Sequence, residues 1–596
     1  MEEKVLPSVV EDANLPQKDS RSQRSSTRYI IVAILAIMLL SKWLKVPWAI
    51  HSQNNATVPC HQGISGLHSY SGENVSWTSC GEVAGRPLEC SEISVPMDQF
   101  NATNSGDKTF SISLIRLRAH NDTAQNLLLN PGGPGGSGVE FVFRRGKQLS
   151  EIVGEGFHLL SFDPRGINGS KPNANCYPTQ EARRKLSSVR SSEVVHDSPE
   201  LFAWTHNFVQ ACADTLGEHG KYINTPQTAA DMNSILDAIG QQDMVYWGFS
   251  YGTLLGQTYA SLYPNRSARV IIDGVVNAFN WYGDVQYDES FTDTENVLDG
   301  FFSECIKAGV ENCTLSSLGS SKEELRKQVF DFSAKLKEQP LNVYINNTSH
   351  GLLTWTDIWY TGIFPALYKP ASWYTVSQNL AMLLKGNATA AWRAWGGGDG
   401  FGLEGEANTV VSMNDALTGP AYWPQDRKSL LKEIVELTNR SIFAPTENDG
   451  YYTRQQWVVP RTHNFTQDYD VETAHPLLIL STSYDPICPL VSAKAAQTAF
   501  KDSQIVEVEG YGHCSVAVTS NCLAKHVRDF LYNGKLPDKY TKCEVDGPYF
   551  VRPEEDGKVR ALKSFDTAEE EKIHLAQLEL ARDWQWPVAV RQVARP

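Results

Sequence analysis

Apolar and polar residues alternate from Phe110 to Arg118 (FSISLIRLR), the period-two pattern of a half-exposed strand. Farther along, the pattern changes to short, mainly apolar runs: Leu127–Leu129, Phe157–Phe162, Met244–Trp247 and Arg269–Ile272. Strands buried on both faces carry such runs, and parallel sheets are built from them. Helix-length segments separate the runs, notably Thr225–Ile239, so the alternation predicts a parallel sheet with crossover helices. The pattern stops after Asp273-Gly-Val-Val276 and resumes at Pro476–Leu480 and Ile505–Val508. The stretch between is rich in Trp and Tyr, mainly helical in pattern, and broken by Gly396-Gly-Gly-Asp-Gly400. Because the last core strands follow it, it reads as a cap inserted between two strands of one sheet rather than a separate domain. Near the end, Thr567-Ala-Glu-Glu570 is a capping box that opens an amphipathic helix reaching about Trp584, expected to be an appendage rather than a functional site.

The start of the chain follows a different pattern. Residues 1–28 are polar and charged without periodicity, as in a disordered tail. Tyr29–Leu40 is continuously apolar and runs on to Ile50, with Lys42 and Lys45 placed to snorkel. Arg21, Arg24 and Arg28 precede it and favour an N-in orientation. A cleaved signal peptide is the rival, disfavoured by the long polar lead and the lack of a small-x-small cleavage site. Residues 51–105 hold three cysteines and are expected to be irregular and disulfide-tied, with regular structure starting at Phe110.

Composition narrows the compartment. Asn55, Asn74, Asn101, Asn121, Asn168, Asn265, Asn312, Asn346, Asn347, Asn387, Asn439 and Asn464 each open an Asn-x-Ser/Thr sequon, a density that implies a glycosylated lumenal or extracellular part. All 11 cysteines follow the apolar segment and none sits in a CxxC, so disulfides are expected rather than zinc. The odd number leaves one thiol free or paired between chains, and Cys305 with Cys313 and Cys522 with Cys543 are close enough to be sensible pairs. A formal charge of −15, with no basic stripe, excludes a nucleic-acid binder.

Chemistry concentrates in four places. Gly248-Phe-Ser-Tyr-Gly252 stands between a predicted strand and the predicted helix Thr253–Tyr263, the context of a nucleophile elbow with Ser250 at its tip. A serine hydroxyl needs a base, and the base an orienting carboxylate. Asp485, in Thr482-Ser-Tyr-Asp-Pro486, and His513, in Gly510-Tyr-Gly-His-Cys514, each follow a strand in the order Ser, acid, His. His526, on a predicted helix, is the poorer histidine. An oxyanion hole is expected from the N–H of Tyr251 and from Asn130-Pro-Gly-Gly-Pro-Gly-Gly-Ser-Gly138, with Gly132 and Gly133 as the choices. That loop lacks the lysine of a Walker motif, so a phosphate cradle is excluded. No metal site or cofactor is indicated.

These motifs, together with Phe162-Asp-Pro-Arg-Gly166, Asp273-Gly-Val-Val276 and the segment Pro476–Cys543 with Asp485-Pro, Gly512-His513 and Gly534-x-Leu-Pro537, resemble the tripeptidyl and prolyl aminopeptidase-like serine peptidases. The likeness spans about 85 to 545 and is patchy in the cap. It implies an α/β-hydrolase fold, a mostly parallel sheet flanked by helices, with a large mainly helical cap and, outside the shared frame, an N-terminal membrane anchor. The parts are a cytosolic tail (1–28), a signal anchor (29–50), a disulfide-tied segment (51–105), the first core part (106–276), the cap (277–470), the second core part (471–545) and a tail with an amphipathic helix (546–596). Such peptidases hold a substrate's free amine with acidic residues, for which Glu140, Asp399 and Glu404 are the candidates here. The expectation is a single-pass type II membrane glycoprotein, or alternatively a secreted one, acting as an exo-acting aminopeptidase. Its partners are a peptide or small ester or amide substrate and the membrane; nothing speaks to oligomeric state. A carboxylesterase or metabolite-tailoring hydrolase is the first alternative, and a non-catalytic surface binding protein on the same scaffold the distant one.

Overall fold

In the computed structural model, residues 67–584 are described apart from 122–123, 192, 284–288, 397–402 and 555–556. The expected tail and anchor, Asn55, Cys60 and Asp399 lie outside the described residues. Among the described residues no helix is long and apolar enough to cross a membrane.

The chain enters through an antiparallel meander: β1 (Leu67–His68), β2 (Trp77–Val83), β3 (Arg86–Pro96) and β4 (Thr109–Leu117). Regular structure therefore begins well before Phe110, contrary to the expectation of an irregular segment. The reason is that β2, β3 and β4 bury charge, which reads in sequence as surface. Arg116 is fully buried, pairs with Glu89 at 3.0 Å and Glu73 at 2.6 Å, and lies 4.0 Å over the Trp77 ring. A disulfide between Cys80 and Cys90 staples the β2–β3 hairpin.

The rest of the sheet comprises β5 (Asn126–Asn130), β6 (His158–Phe162), β7 (Met244–Phe249), β8 (Ser267–Asp273), β11 (Leu478–Tyr484), β12 (Gln504–Tyr511) and β13 (Thr541–Cys543). The hairpin β9 (Leu341–Asn346) and β10 (Ser349–Leu353) stands apart from it. The order is β1-β2-β3-β4-β6-β5-β7-β8-β11-β12-β13, and every pair from β6 onward is parallel. Alternate residues fill opposite faces. Leu128, Leu160, Tyr246, Ile272 and Ile479 pack with α2 (Thr225–Ala238), α3 (Tyr251–Leu262) and α6 (Leu490–Ala499). Leu127, Leu129, Trp247, Ile271 and Leu480 pack with α1 (Gly138–Val153), α7 (Asn521–Asn533) and α8 (Ala568–Asp583). Each fully buried leucine or isoleucine contributes about 1.5–3 kcal/mol, which is why these runs are mainly apolar; the buried exceptions are hydrogen-bonded, Ser161 donating to the Leu129 carbonyl at 2.6 Å and His158 Nδ1 accepting from the Ala119 N–H at 2.8 Å.

Neighbouring strands β8 and β11 are separated in sequence by residues 274–477, so that stretch is an insertion at one point of the sheet. It holds α4 (Thr294–Asn312), α5 (Leu403–Asp415), further helices and the β9–β10 hairpin. Its aromatic core, with Phe301, Trp359, Trp373 and Phe443, continues onto Tyr511 of β12 and onto Tyr549. At the C-terminus, Thr567 caps α8 as the sequence predicts, and Trp584 packs 5.0 Å from both Phe141 and Phe249. The terminal helix is thus packed under the residue that precedes Ser250.

Candidate active site

Ser250 sits between β7 and α3 with φ 56° and ψ −126°, a region that L-residues occupy at about 1–3 kcal/mol of strain. Its neighbours hold it there. The Ser250 N–H donates to the Asp273 carbonyl at 3.0 Å, and Thr253 donates to the Ser250 carbonyl from its N–H at 2.8 Å and its hydroxyl at 2.6 Å. The flanking glycines are required by contact: a Cβ on Gly252 would lie 2.7 Å from the Asn130 carbonyl, and one on Gly248 would lie 2.6 Å from the Tyr246 ring.

Asp485 and His513 are brought together from the ends of β11 and β12. The Asp485 carboxylate accepts the N–H groups of Ile487 at 3.0 Å and Cys488 at 2.8 Å, an Asx turn that fixes the loop, and that of Cys514 at 2.9 Å. Its remaining capacity meets His513 Nδ1 at 2.8 Å, with both side chains buried. Gly512, at φ +118°, leaves no room for a Cβ, which would stand 2.8 Å from Ala517 and from Pro370. The His513 N–H donates to the Tyr368 carbonyl of the insertion at 3.0 Å, and the two rings meet edge-on at 5.1 Å.

The glycine loop is held from below by the Asp-Pro-Arg-Gly motif. Buried Asp163 accepts from the Ser137 hydroxyl at 2.6 Å and the Val139 N–H at 3.1 Å, and burial pushes its pKa up. Arg165 pairs with Asp231, both fully buried. A Cβ on Gly132 would overlap the Phe249 carbonyl oxygen and sit 2.9 Å from Ser250 Cβ, so this glycine permits the close approach. Its own N–H, however, donates to Asn130 Oδ1 at 3.0 Å. The choice between the two glycines is thereby sharpened: Gly132 supplies space, and Gly133 keeps its N–H, as Tyr251 does, without a hydrogen bond among the described residues.

Comparison with known proteins follows the same frame. Residues 125–308 match the family described as alpha/beta hydrolase fold, and residues 443–543 the one described as TAP-like protein. Serine protease Hip1 of Mycobacterium tuberculosis (strain H37Rv) is 26% identical over 500 residues, covering 79% of this chain and 91% of the relative. Tripeptidyl aminopeptidase of Streptomyces lividans is 23% identical over 486 residues, with 79% and 86% covered. Carboxylesterase B of Mycobacterium tuberculosis (strain CDC 1551) is 24% identical over 500 residues, with 78% and 89% covered. The chain thus carries segments similar to an alpha/beta hydrolase fold domain and to a TAP-like domain. It is an enzyme, a serine hydrolase.

Other predicted residues of the hydrolase fall elsewhere. Glu140, one turn into α1, pairs with Arg144 at 2.5 Å with side chains 40% and 47% exposed, so it is a surface carboxylate rather than a buried amine site. Glu404 lies at the start of α5. Sequence reasoning missed Glu289, whose carboxylate accepts from Asn277 at 2.9 Å and Ser492 at 3.0 Å, two residues that follow the carboxyl ends of β8 and β11. His526 sits on α7 beside the Cys522–Cys543 disulfide. All 11 described sequon asparagines are exposed, but Asn168 donates its side-chain nitrogen, the atom a glycan would occupy, to Ser137 at 3.1 Å and Asp163 at 2.9 Å. Four disulfides form, Cys80–Cys90, Cys176–Cys212, Cys305–Cys313 and Cys522–Cys543, the mark of an oxidising compartment. Two described thiols, Cys488 and Cys514, are free where the odd count pointed to one.

Two supporting networks were also invisible in sequence. Asp273 accepts from the Ser515 N–H at 2.7 Å and hydroxyl at 2.6 Å, while its carbonyl holds Ser250, so one residue ties the elbow to the histidine loop. Burial pushes its carboxyl up to about 6. From the insertion, buried Asp415 accepts from the Thr225 N–H at 2.8 Å, the Thr225 hydroxyl at 2.6 Å and Trp281 Nε1 at 2.9 Å. With its own proton given to Asp415, the Thr225 hydroxyl accepts from Tyr251 at 2.6 Å, so the insertion holds the side chain that follows Ser250.

Proposed function

We propose that Ser250, His513 and Asp485 form the catalytic triad of an exo-acting aminopeptidase whose cap is the insertion between β8 and β11. The observation that carries this reading is the Asp485–His513 Nδ1 contact of 2.8 Å. It keeps the proton on Nδ1 and leaves Nε2 basic toward the serine. Burial, reinforced by the Asp485 charge near Cys488 and the Asp273 and Asp485 charges near Cys514, pushes both neighbouring thiols up, so they stay protonated and do not compete as nucleophiles.

His513 Nε2 takes the proton of Ser250 Oγ as that oxygen bonds to the substrate carbonyl carbon. The N–H groups of Tyr251 and Gly133 receive the oxyanion. The intermediate collapses as His513 passes the proton to the leaving amine, giving an acyl-enzyme. Water, deprotonated by His513, then releases the acyl group and restores Ser250. Glu289, bonded to Asn277 and Ser492 beyond the carboxyl ends of β8 and β11, is the carboxylate we assign to a free amine, and the likeness to a tripeptidyl aminopeptidase supports that specificity. The disulfides and exposed sequons support a lumenal or extracellular domain, with residues 29–50 as its signal anchor.

Chromogenic peptides with free and blocked amino termini, assayed beside simple esters, test the reading. Free peptides should be preferred, with Glu289→Gln raising KM for them and leaving blocked ones unchanged. Ser250→Ala should abolish fluorophosphonate labelling. Equal turnover of free and blocked peptides would remove the aminopeptidase reading, and a marked preference for esters would favour the carboxylesterase that one relative's name suggests.

A further inference from the structure

Beside the histidine loop lies a cavity of about 480 Å³, the size of a small-molecule site. Its apolar walls include Pro370 of the insertion, Ala517 and Val518 after His513, Val545 and Leu562 beyond β13, and Leu578 of α8. Neither Ser250, Asp485, His513 nor the glycine loop lines it. It borders the site all the same, since Pro370 and Ala517 are the residues that a Cβ on Gly512 would strike. Lys369, beside Pro370 in the wall, is half-buried, and its Nζ meets no hydrogen-bond acceptor among the described residues. Burial pulls its pKa down; the Asp583 charge opposes this, and those of Arg145 and Arg582 add to it. Asp583 is itself shared, 3.9 Å from Arg145 and 3.1 Å from Arg582. Three cations thus divide one carboxylate, which leaves net positive charge at the edge of an apolar cavity. Glu554, the acid of the lining, is exposed and pairs with Arg560 at 3.6 Å, so it offsets that arginine rather than Lys369.

We infer that this cavity is a second binding site, for an amphipathic carboxylate whose apolar body lies against Pro370, Val518 and Leu578 and whose carboxylate accepts from Lys369 Nζ, with Arg582 beside it. A half-buried ammonium without an acceptor gains a charge-assisted hydrogen bond from such a ligand, and the excess positive charge is offset. A phosphate fits less well, because its further oxygens would be left against apolar walls. An acyl chain ending in a carboxylate and the free C-terminus of a short apolar peptide share this chemistry. The site goes beyond the proposed peptidase activity, and binding does not depend on that activity.

Calorimetric titration of the purified full chain tests the site. Phenylbutanoate stands for the acyl chain, N-acetylphenylalanine for the peptide end, and phenylbutanol for the same apolar body without charge. At least one carboxylate should bind one-to-one, the tighter of the two naming the source, and the alcohol should bind about tenfold more weakly or worse. Lys369→Met should weaken the carboxylate by about tenfold or more, and Lys369→Arg should restore most of the loss. Leu578→Trp, which fills the cavity and removes no charge, should abolish binding. Failure of both carboxylates to bind the wild type overturns the proposal, and so does an alcohol that binds as tightly as the acid. Equal affinity in the wild type, Lys369→Met and Leu578→Trp overturns it too, by placing the ligand elsewhere. The heat of binding is read without turnover, so its outcome stands apart from that of the peptidase assay.

Discussion

The sheet and the insertion solve the same problem, burying polar groups, in different ways. Around Ser250 the sheet uses absence: Gly132, Gly248, Gly252 and Gly512 give up side chains so that four loops can meet. The insertion uses presence, with a buried carboxylate, Asp415, held by Thr225 and Trp281 and lying 3.7 Å from His463. Close backbone approach tolerates almost no change of residue. A side-chain network can be rebuilt from other residues at modest loss. The difference explains why the chemistry is written in recurring motifs and the enclosing surface is not.

The largest break in that contrast should come from Asp485→Asn. An amide at this position favours the wrong imidazole tautomer, so kcat should fall roughly a thousand- to ten-thousandfold while the fold persists. Steady-state kinetics together with thermal melting checks both halves; retained kcat would remove Asp485 from the proposed triad.

Next comes the glycine contrast. Gly132→Ala, forced into the Phe249 carbonyl at a φ of +92°, should destabilise by about 1–3 kcal/mol and slow turnover up to about a hundredfold. Gly283→Ala, early in the insertion with nothing within 4 Å of its Cβ, should be neutral or stabilise by up to about 1 kcal/mol. Urea denaturation of the two variants compares them directly, and equal losses would contradict the proposed division.

The smallest effect is in pH dependence. Burial pushes Asp415 up to about 6, so the stability linked to it is complete below about 4 and is lost as pH rises through 6. Burial, with the Arg461 charge beside it, lowers His463 to about 3. That ring is neutral beside Asp415, and its share of stability is lost as pH falls from about 6.5 toward 3. The two slopes oppose each other between about 4 and 6. His463→Gln should therefore flatten the acid-side loss, by about 1 kcal/mol per pH unit, and Asp415→Asn should steepen it. Urea midpoints measured across this range read both changes, and parallel profiles for wild type and variants would refute them.

Most of the site is legible without coordinates. Gly-x-Ser-x-Gly and the histidine and aspartate loops name their residues because each motif carries a backbone requirement as well as a side chain. What escaped reading depended on contact across the sheet. Asp273 seemed only a motif residue until its carboxylate met Ser515. The buried charges Arg116, Glu89 and Glu73 hid strands β2 and β3, because a paired charge and a solvated one are written with the same letters.

By itself, then, the sequence determined the alternation of strands and helices, the order Ser250, Asp485, His513 and the glycine loop, since local backbone geometry and apolar periodicity dictate all of them. Tertiary structure alone decided which glycine N–H stays free, which cysteines stay unpaired and which acidic residue the insertion lays over the sheet. Those outcomes rest on distances between segments far apart in the chain, and no local pattern encodes a distance that only packing sets.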